Sequence, residues 1–180
     1  MQSTLTSDSK TGQGQAFRAG ELDKYPSSLV RVRFQDCDPF GHLHNSNYID
    51  YVMNAREEHL RDFYDLDLFS PRFAERSWVV RSSALQYHLP VVANQQVRIA
   101  THMLHYSRSA ITIEAAITDP DGSRLFAGCW VEFRYFDIRS GRPVRHEEDL
   151  LDLFVRVSLN EAFEFGDPVE RMKQLRTGIR

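Results

Sequence analysis

Hydrophobic and polar positions change period several times along the chain, and each change predicts an element. Over residues 28–34 apolar and basic side chains alternate. Val30, Val32 and Phe34 fall on one side, Arg31 and Arg33 on the other. A period of two makes a half-buried strand. Over residues 46–64 the period becomes helical. Tyr48, Tyr51, Val52, Ala55 and His59 form one stripe, while Asp50, Asn54, Glu57, Glu58 and Arg61 lie opposite. This predicts a long amphipathic helix, with Asn45 or Ser46 placed to cap it. Ser70-Pro71 ends the helical region.

Four strands follow. They are predicted over residues 78–89, 96–104, 110–118 and 124–137. Ile111, Ile113, Ala115 and Ile117 alternate cleanly with Thr112, Glu114, Ala116 and Thr118. Asp119-Pro120-Asp121-Gly122 makes a turn, because Pro presets φ and Gly accepts positive φ. The last strand carries bulk on both faces: Leu125, Cys129, Val131, Phe133 and Tyr135 on one, Phe126, Trp130 and Phe136 on the other. Two-sided bulk suits a central strand or a subunit contact. A second helix begins near Glu147, with Leu150, Leu153, Phe154 and Val157 at helical spacing. The final 20 residues read as a helical extension or a frayed tail. Strand, long helix and then four strands joined mostly by short turns is an α+β layer, one helix against a meander-like antiparallel sheet.

Composition narrows the class. The chain has 180 residues, 42% hydrophobic and 26% charged, enough for one cored domain and too apolar for global disorder. Residues 1–24 form a polar tail or loosely docked arm, residues 25–140 the domain, and residues 141–180 a helical extension. The net charge of −3 gives no electrostatic reason to expect nucleic acid. The two cysteines, Cys37 and Cys129, make no disulfide framework. The first residues lack a basic-then-apolar leader, and no apolar run approaches the roughly 20 residues a membrane span needs. The expectation is a cytoplasmic protein without a membrane partner.

The chemistry concentrates between the first strand and the long helix, in residues 35–45. This loop holds Asp36, Asp38, Pro39, Gly41, two histidines and, at its end, Asn45. A helix start offers unpaired N–H groups and a partial positive charge beside those acids. Such a start can polarise a carbonyl next to a base or nucleophile. Phe34, Asp36, Asp38, Gly41, His42, Leu43, Asn45, Tyr48 and Tyr51, followed by Ala55-Arg56, together resemble the hot-dog fold acyl-CoA thioesterases, nearest the 4-hydroxybenzoyl-CoA thioesterase type. The likeness covers about residues 28–137.

The resemblance implies a hot-dog fold, a long helix wrapped by an antiparallel sheet. It implies hydrolysis of a fatty or aryl acyl-CoA without metal or cofactor, in a homodimer or homotetramer with the site between subunits. Asp38 falls at the family's catalytic carboxylate, and the Asn45 N–H at the donor that polarises the thioester carbonyl. Asp38 can deprotonate water, or attack the carbonyl and form an anhydride that water opens. Asp36 is expected to brace the loop by accepting main-chain N–H bonds. His42 either orients carboxylate or substrate, or packs as a loop histidine. Tyr48 and Tyr51 are expected in the core or the pocket wall, and Cys37 is read as a small buried residue. Arg108 and Ser109 are expected to meet CoA phosphate and pantetheine. His42 and His44 lack the further ligands a zinc site needs. The chain departs from the family pattern at His44, where Asn is common, and at Met53, where many relatives carry Glu. A carrier-protein thioesterase and a non-catalytic acyl-thioester binder are the alternatives.

Overall fold

The cleanest alternation in the sequence builds the middle of the sheet. Strand β4 (Ala110–Thr118) lies between β3 (Gln96–Tyr106) and β5 (Leu125–Asp137), antiparallel to both. The computed structural model describes residues 17–161, 163 and 168–178. Strand β1 (Ser27–Arg31) pairs with β3 at one edge, and β2 (Arg76–Tyr87) pairs with β5 at the other, giving the order β1-β3-β4-β5-β2. The sheet is therefore not a simple meander, since the chain crosses to the far edge between β1 and β2 and returns at β3. A two-residue strand β6 (Arg142–Pro143) pairs with the end of β5.

Helix α1 (Asn47–Tyr64) lies in the curl of this sheet, so the arrangement is the α+β hot-dog fold. Tyr48, Val52, Ala55 and His59 are buried along its inner stripe, joined by Arg56 and Tyr64. Tyr51 is only half-buried. The helix is pinned by one polar side chain. His59 is 1% exposed. Its Nδ1 meets Thr101 Oγ1 of β3 at 2.7 Å, and its Nε2 meets Ser28 Oγ of β1 at 3.1 Å. The helix ends at Asp65, a left-handed residue (φ 55°) whose N–H bonds back to Arg61 O at 3.2 Å. Such a stop normally favours glycine.

Phe34 and the start of β5 depart from the expected faces. Phe34 is 85% exposed, because β1 ends at Arg31 and residues Phe34–Asp36 form a 3-10 turn that rotates the side chain outward. At the start of β5 the faces are exchanged: Phe126 joins the helix-side core and Leu125 the outer cluster. The β4–β5 register shifts there, between Ile117 and Thr118.

The outer face of the sheet is covered as well. Helix α2 (Glu148–Val157) closes the inner core with Leu150, Leu153, Phe154 and Val157. Helix α3 (Pro168–Gly178) brings Met172 and Leu175 to the outer face, over Leu104, Ala116, Leu125 and Trp130. Phe163 stacks on Trp130 at 5.0 Å between centroids. A Cβ on Gly128 would come within 2.8 Å of the Trp130 ring and 3.1 Å of Met172 Sδ, so only glycine leaves room for that contact. Glu114, expected on a polar face, is fully buried beneath α3. It accepts from Trp130 Nε1 (2.6 Å), His102 Nε2 (2.7 Å) and Arg171 Nε (2.5 Å). Burial alone pushes this carboxyl up, but those donors outweigh it and hold it at about 2.

Residues 1–16 of the expected tail lie outside the described residues. Residues 17–24 are docked: Leu22 is buried, Tyr64 donates to Asp23 O at 2.8 Å, and Arg156 donates to the carbonyls of Arg18 and Gly20 at 2.6 Å.

Burial, and secondarily the Arg56 charge, push the His59 imidazole from 6.5 down to about 4. The unfolded chain therefore binds this proton more readily, and stability is lost as pH falls from about 6.5 towards 4. Denaturant unfolding at pH 7 and pH 4.5 should differ by up to about 3 kcal/mol through this residue. His59→Gln should reduce that difference; an unchanged pH dependence would contradict the role.

Candidate active site

The loop that carries the acids is folded by its own backbone. Gly41 adopts φ +77°, which lets residues 38–42 turn back on themselves. Asp38 N–H donates to His42 O at 2.7 Å and Gly41 N–H to Asp38 O at 2.9 Å. Within this turn Asp38 Oδ1 accepts two amides, Phe40 N–H at 2.9 Å and His42 N–H at 3.0 Å. Among the described residues Oδ2 has no hydrogen-bond partner. The carboxylate is thus oriented through one oxygen and open at the other.

Asp36 braces the loop by different atoms from those expected. Among the described residues its carboxylate takes no main-chain N–H. Oδ2 accepts the Tyr51 hydroxyl at 2.7 Å, and the main-chain carbonyl accepts His44 N–H and Asn47 Nδ2, both at 2.9 Å. The Tyr51 hydroxyl in turn accepts Arg33 N–H at 3.0 Å. Tyr51 therefore clamps the loop to α1, and burial raises its hydroxyl above the ordinary value.

The helix start is left partly open. Ser46, the residue before α1, has helical angles and makes no side-chain cap. Instead its N–H donates to His44 Nδ1 at 3.3 Å, so His44 takes over part of the capping. Leu43 N–H is bound to Val91 O, His44 N–H to Asp36 O and Asn47 N–H to His44 O. The Asn45 N–H between them has no acceptor among the described residues. The Asn45 carbonyl is held by the Tyr87 hydroxyl at 2.9 Å.

Asp38, His42, Asn45 and Tyr48 line one pocket of about 240 Å³, together with Tyr87 and His88. Tyr48 is 2% exposed and packs edge-on against Tyr87, at 5.1 Å between centroids. Burial raises the Tyr48 hydroxyl. His42 is half-buried beside them. Cys37 is half-buried, its Sγ near Arg33 O at 3.4 Å. Burial and the flanking Asp36 and Asp38 charges push its thiol up, away from the nucleophilic thiolate.

Arg108 and Ser109 do not join this pocket within one chain. They lie in the β3–β4 hairpin, whose main-chain carbonyls accept from His146 N–H (Arg108) and Tyr135 N–H (Ser109). The loop with Asp38 meets the opposite end of β3, roughly 30 Å along the strand. Tyr87 was not among the residues singled out from sequence. Its only signal is an aromatic at the end of a strand, ahead of Pro90; its partner, the Asn45 carbonyl, is 42 positions away.

A family model described as the thioesterase-like superfamily matches residues 32–154. The chain belongs to that superfamily. Solved structures agree in fold. A probable thioesterase from Bartonella henselae is 21% identical, with a TM-score of 0.60, over 68% of this chain and 99% of its own. A hypothetical protein from Aquifex aeolicus is 22% identical, with a TM-score of 0.61, over 71% and 97%. A 1,4-dihydroxy-2-naphthoyl-CoA thioesterase from Synechocystis is 11% identical, with a TM-score of 0.66, over 77% and 99%. No curated protein matches. Superfamily membership supports thioester hydrolysis as the general activity.

Removing the clamp tests how the loop is held. Tyr51→Phe keeps the packing but strips Asp36 of its hydroxyl donor. It should cost about 1–3 kcal/mol in denaturant unfolding, because a partly buried carboxylate loses its partner. Phe40→Ala, at an exposed position of the same loop, should cost under about 0.5 kcal/mol. Equal small effects would show that the clamp does not hold the loop.

Proposed function

We propose that the protein hydrolyses an acyl-CoA thioester to free acid and CoA, with Asp38 as the reacting carboxylate. The observation that carries this reading is the pairing, in one pocket, of a carboxylate oxygen and a main-chain amide that both lack a hydrogen-bond partner among the described residues. The thioester carbonyl oxygen accepts the Asn45 N–H, at the positive end of α1, which stabilises the negative charge that develops there. Asp38 then acts in one of two ways. As a base it takes a proton from water, the hydroxide adds to the carbonyl, the C–S bond breaks and the thiolate recovers the proton. As a nucleophile it adds to the carbonyl, expels the thiolate and is released by water. Both routes balance to the same products. His42 and Tyr48 form the wall against which the acyl group lies.

The reading also needs a second copy. Strand β2 is a twelve-residue edge with Val79 and Val80 about half exposed. Long apolar edges are templates for strand pairing. One end of β2 holds Tyr87, beside Asp38. The other lies by the β3–β4 hairpin, since Val79 and Ala110 both pair with Arg134. Antiparallel pairing of two β2 edges about their centres brings the partner's Arg108 and the partner's Ser109 towards Asp38. The two residues separated within one chain then meet across the interface, and the CoA phosphates find a cation.

The test is release of free thiol from a panel of acyl-CoAs by the purified protein, with Asp38→Asn and Val80→Glu alongside. Asp38→Asn should lower kcat about 10²–10⁴-fold without changing fold, because the amide oxygen still accepts the two loop N–H groups. Val80→Glu should give a monomer by light scattering and lose turnover with it. Equal activity of wild type and Asp38→Asn would overturn the assignment. Acyl-CoA bound but never cleaved would favour a binder, and preference for a carrier-protein thioester would move the substrate.

A further inference from the structure

A second cavity, of about 270 Å³, lies between the C-terminal half of α1 and the inner face of the sheet. Its wall is largely apolar, built from side chains such as Met53, Leu60, Ile113 and Phe133. Arg56 of α1 forms part of the lining and is 5% exposed. Among the described residues its Nη1 is buried without a hydrogen-bond partner. The guanidinium carbon sits 5.9 Å from the centre of the Tyr64 ring; the Tyr64 hydroxyl is the polar neighbour of the guanidinium and itself donates to Asp23 O, so Nη1 is the atom left over. In the same lining Glu57 Oε1 accepts from Arg61 Nη1 at 2.8 Å.

A buried cation without a full set of acceptors is costly. Breaking a buried pair, so that one charge is stranded, destabilises a protein by a large amount. The apolar lining does not offset that cost: methyl groups cannot accept from Nη1. The group that does so is an anion with two oxygens, which can take a guanidinium side-on. The apolar wall requires the rest of that ligand to be hydrocarbon. The cavity lies on the helix that starts at the Asp38 pocket. From Asn47 to Arg56 is nine residues, roughly 14 Å along the axis.

We propose that this cavity receives the far end of the acyl group, and that the acyl group ends there in a carboxylate paired with Arg56. The inference rests on the thioesterase reading for the position of the acyl group, and it narrows the substrate from acyl-CoAs in general to ω-carboxyacyl-CoAs. Met53 is the neighbouring control point. It lies three residues before Arg56 in the same lining, so a carboxylate introduced there would face Arg56 one turn away.

The experiment compares ω-carboxyacyl-CoAs with plain acyl-CoAs of equal chain length, using the full chain. Turnover is read by thiol release. Binding to Asp38→Asn is read by calorimetry with thioether analogues, in which a methylene replaces the carbonyl. Wild type should favour the carboxylated series by at least about tenfold in kcat/KM, and Asp38→Asn should favour it similarly in Kd. Arg56→Met should abolish both preferences while raising the thermal midpoint of the ligand-free protein, because a stranded charge has been removed. Met53→Glu should abolish them too, by occupying Arg56 internally, and decides the matter if Arg56→Met does not fold. Equal or better use of the plain series by wild type, or a preference that survives Met53→Glu, would overturn the proposal. If no thioester is cleaved, the thioesterase reading fails; the carboxylate proposal then stands if the analogues are still discriminated and falls if they are not.

Discussion

The hydrogen bond from Tyr51 to Asp36 is the constraint on which the candidate site depends. Three demands meet in the short segment between β1 and α1: a turn, a carboxylate held by its own amides, and a helix start with one amide left open. Asp36 reconciles them because its carboxylate is tied to α1 through Tyr51 while its carbonyl collects His44 and Asn47. The loop that carries Asp38 is thereby tied to the helix start. A reacting carboxylate needs such fixed neighbours, since pre-set orientation supplies a large share of any rate enhancement.

The sheet places this loop by what it covers and what it leaves bare. Its inner face takes α1 and α2, and its outer face takes α3 over Trp130, with Glu114 and Arg171 as the polar lock. Buried ion pairs seldom add net stability, because desolvation offsets the attraction; this one fixes where α3 lies. Among the described residues no strand pairs with the outer edge of β2, which runs past the Asp38 pocket at one end and past the second cavity at the other. The single chain therefore carries two cavities along one strand. Among the described residues no helix is long and apolar enough to cross a membrane.

Much of this was legible in the sequence because it is local. Period-two alternation located β4 to the residue, and the helical stripe located α1 within one residue at its start. Register against a family pattern set Asp36 apart from Asp38 as the brace of the loop. What sequence did not reveal depends on distance or on backbone rotation. Phe34 continues the alternation of β1, yet a 3-10 turn two residues after the strand ends takes it out of phase. The edge position of β2 follows from pairing order, which no local pattern encodes. Glu114 reads as a polar-face residue until α3 covers it. The bracing of Asp36 was foreseen and its atoms were not, because the Tyr51 hydroxyl reaches it from across the helix. His44 and Met53, the two departures from the family pattern, both acquire physical consequences: one accepts the Ser46 amide, and the other leaves Arg56 without an acid three residues before it on the helix.

The central claim is spatial: a thioester carbonyl lies between the Asn45 amide and the open oxygen of Asp38, at an edge shared by two chains. The most direct measurement is a crystal structure of Asp38→Asn with an uncleaved acyl-CoA. The account predicts the carbonyl oxygen within about 3 Å of the Asn45 nitrogen, residue 38 beside the carbonyl carbon, and two β2 strands paired across the interface. A carbonyl bound away from Asn45, or a substrate held wholly within one chain, would contradict it.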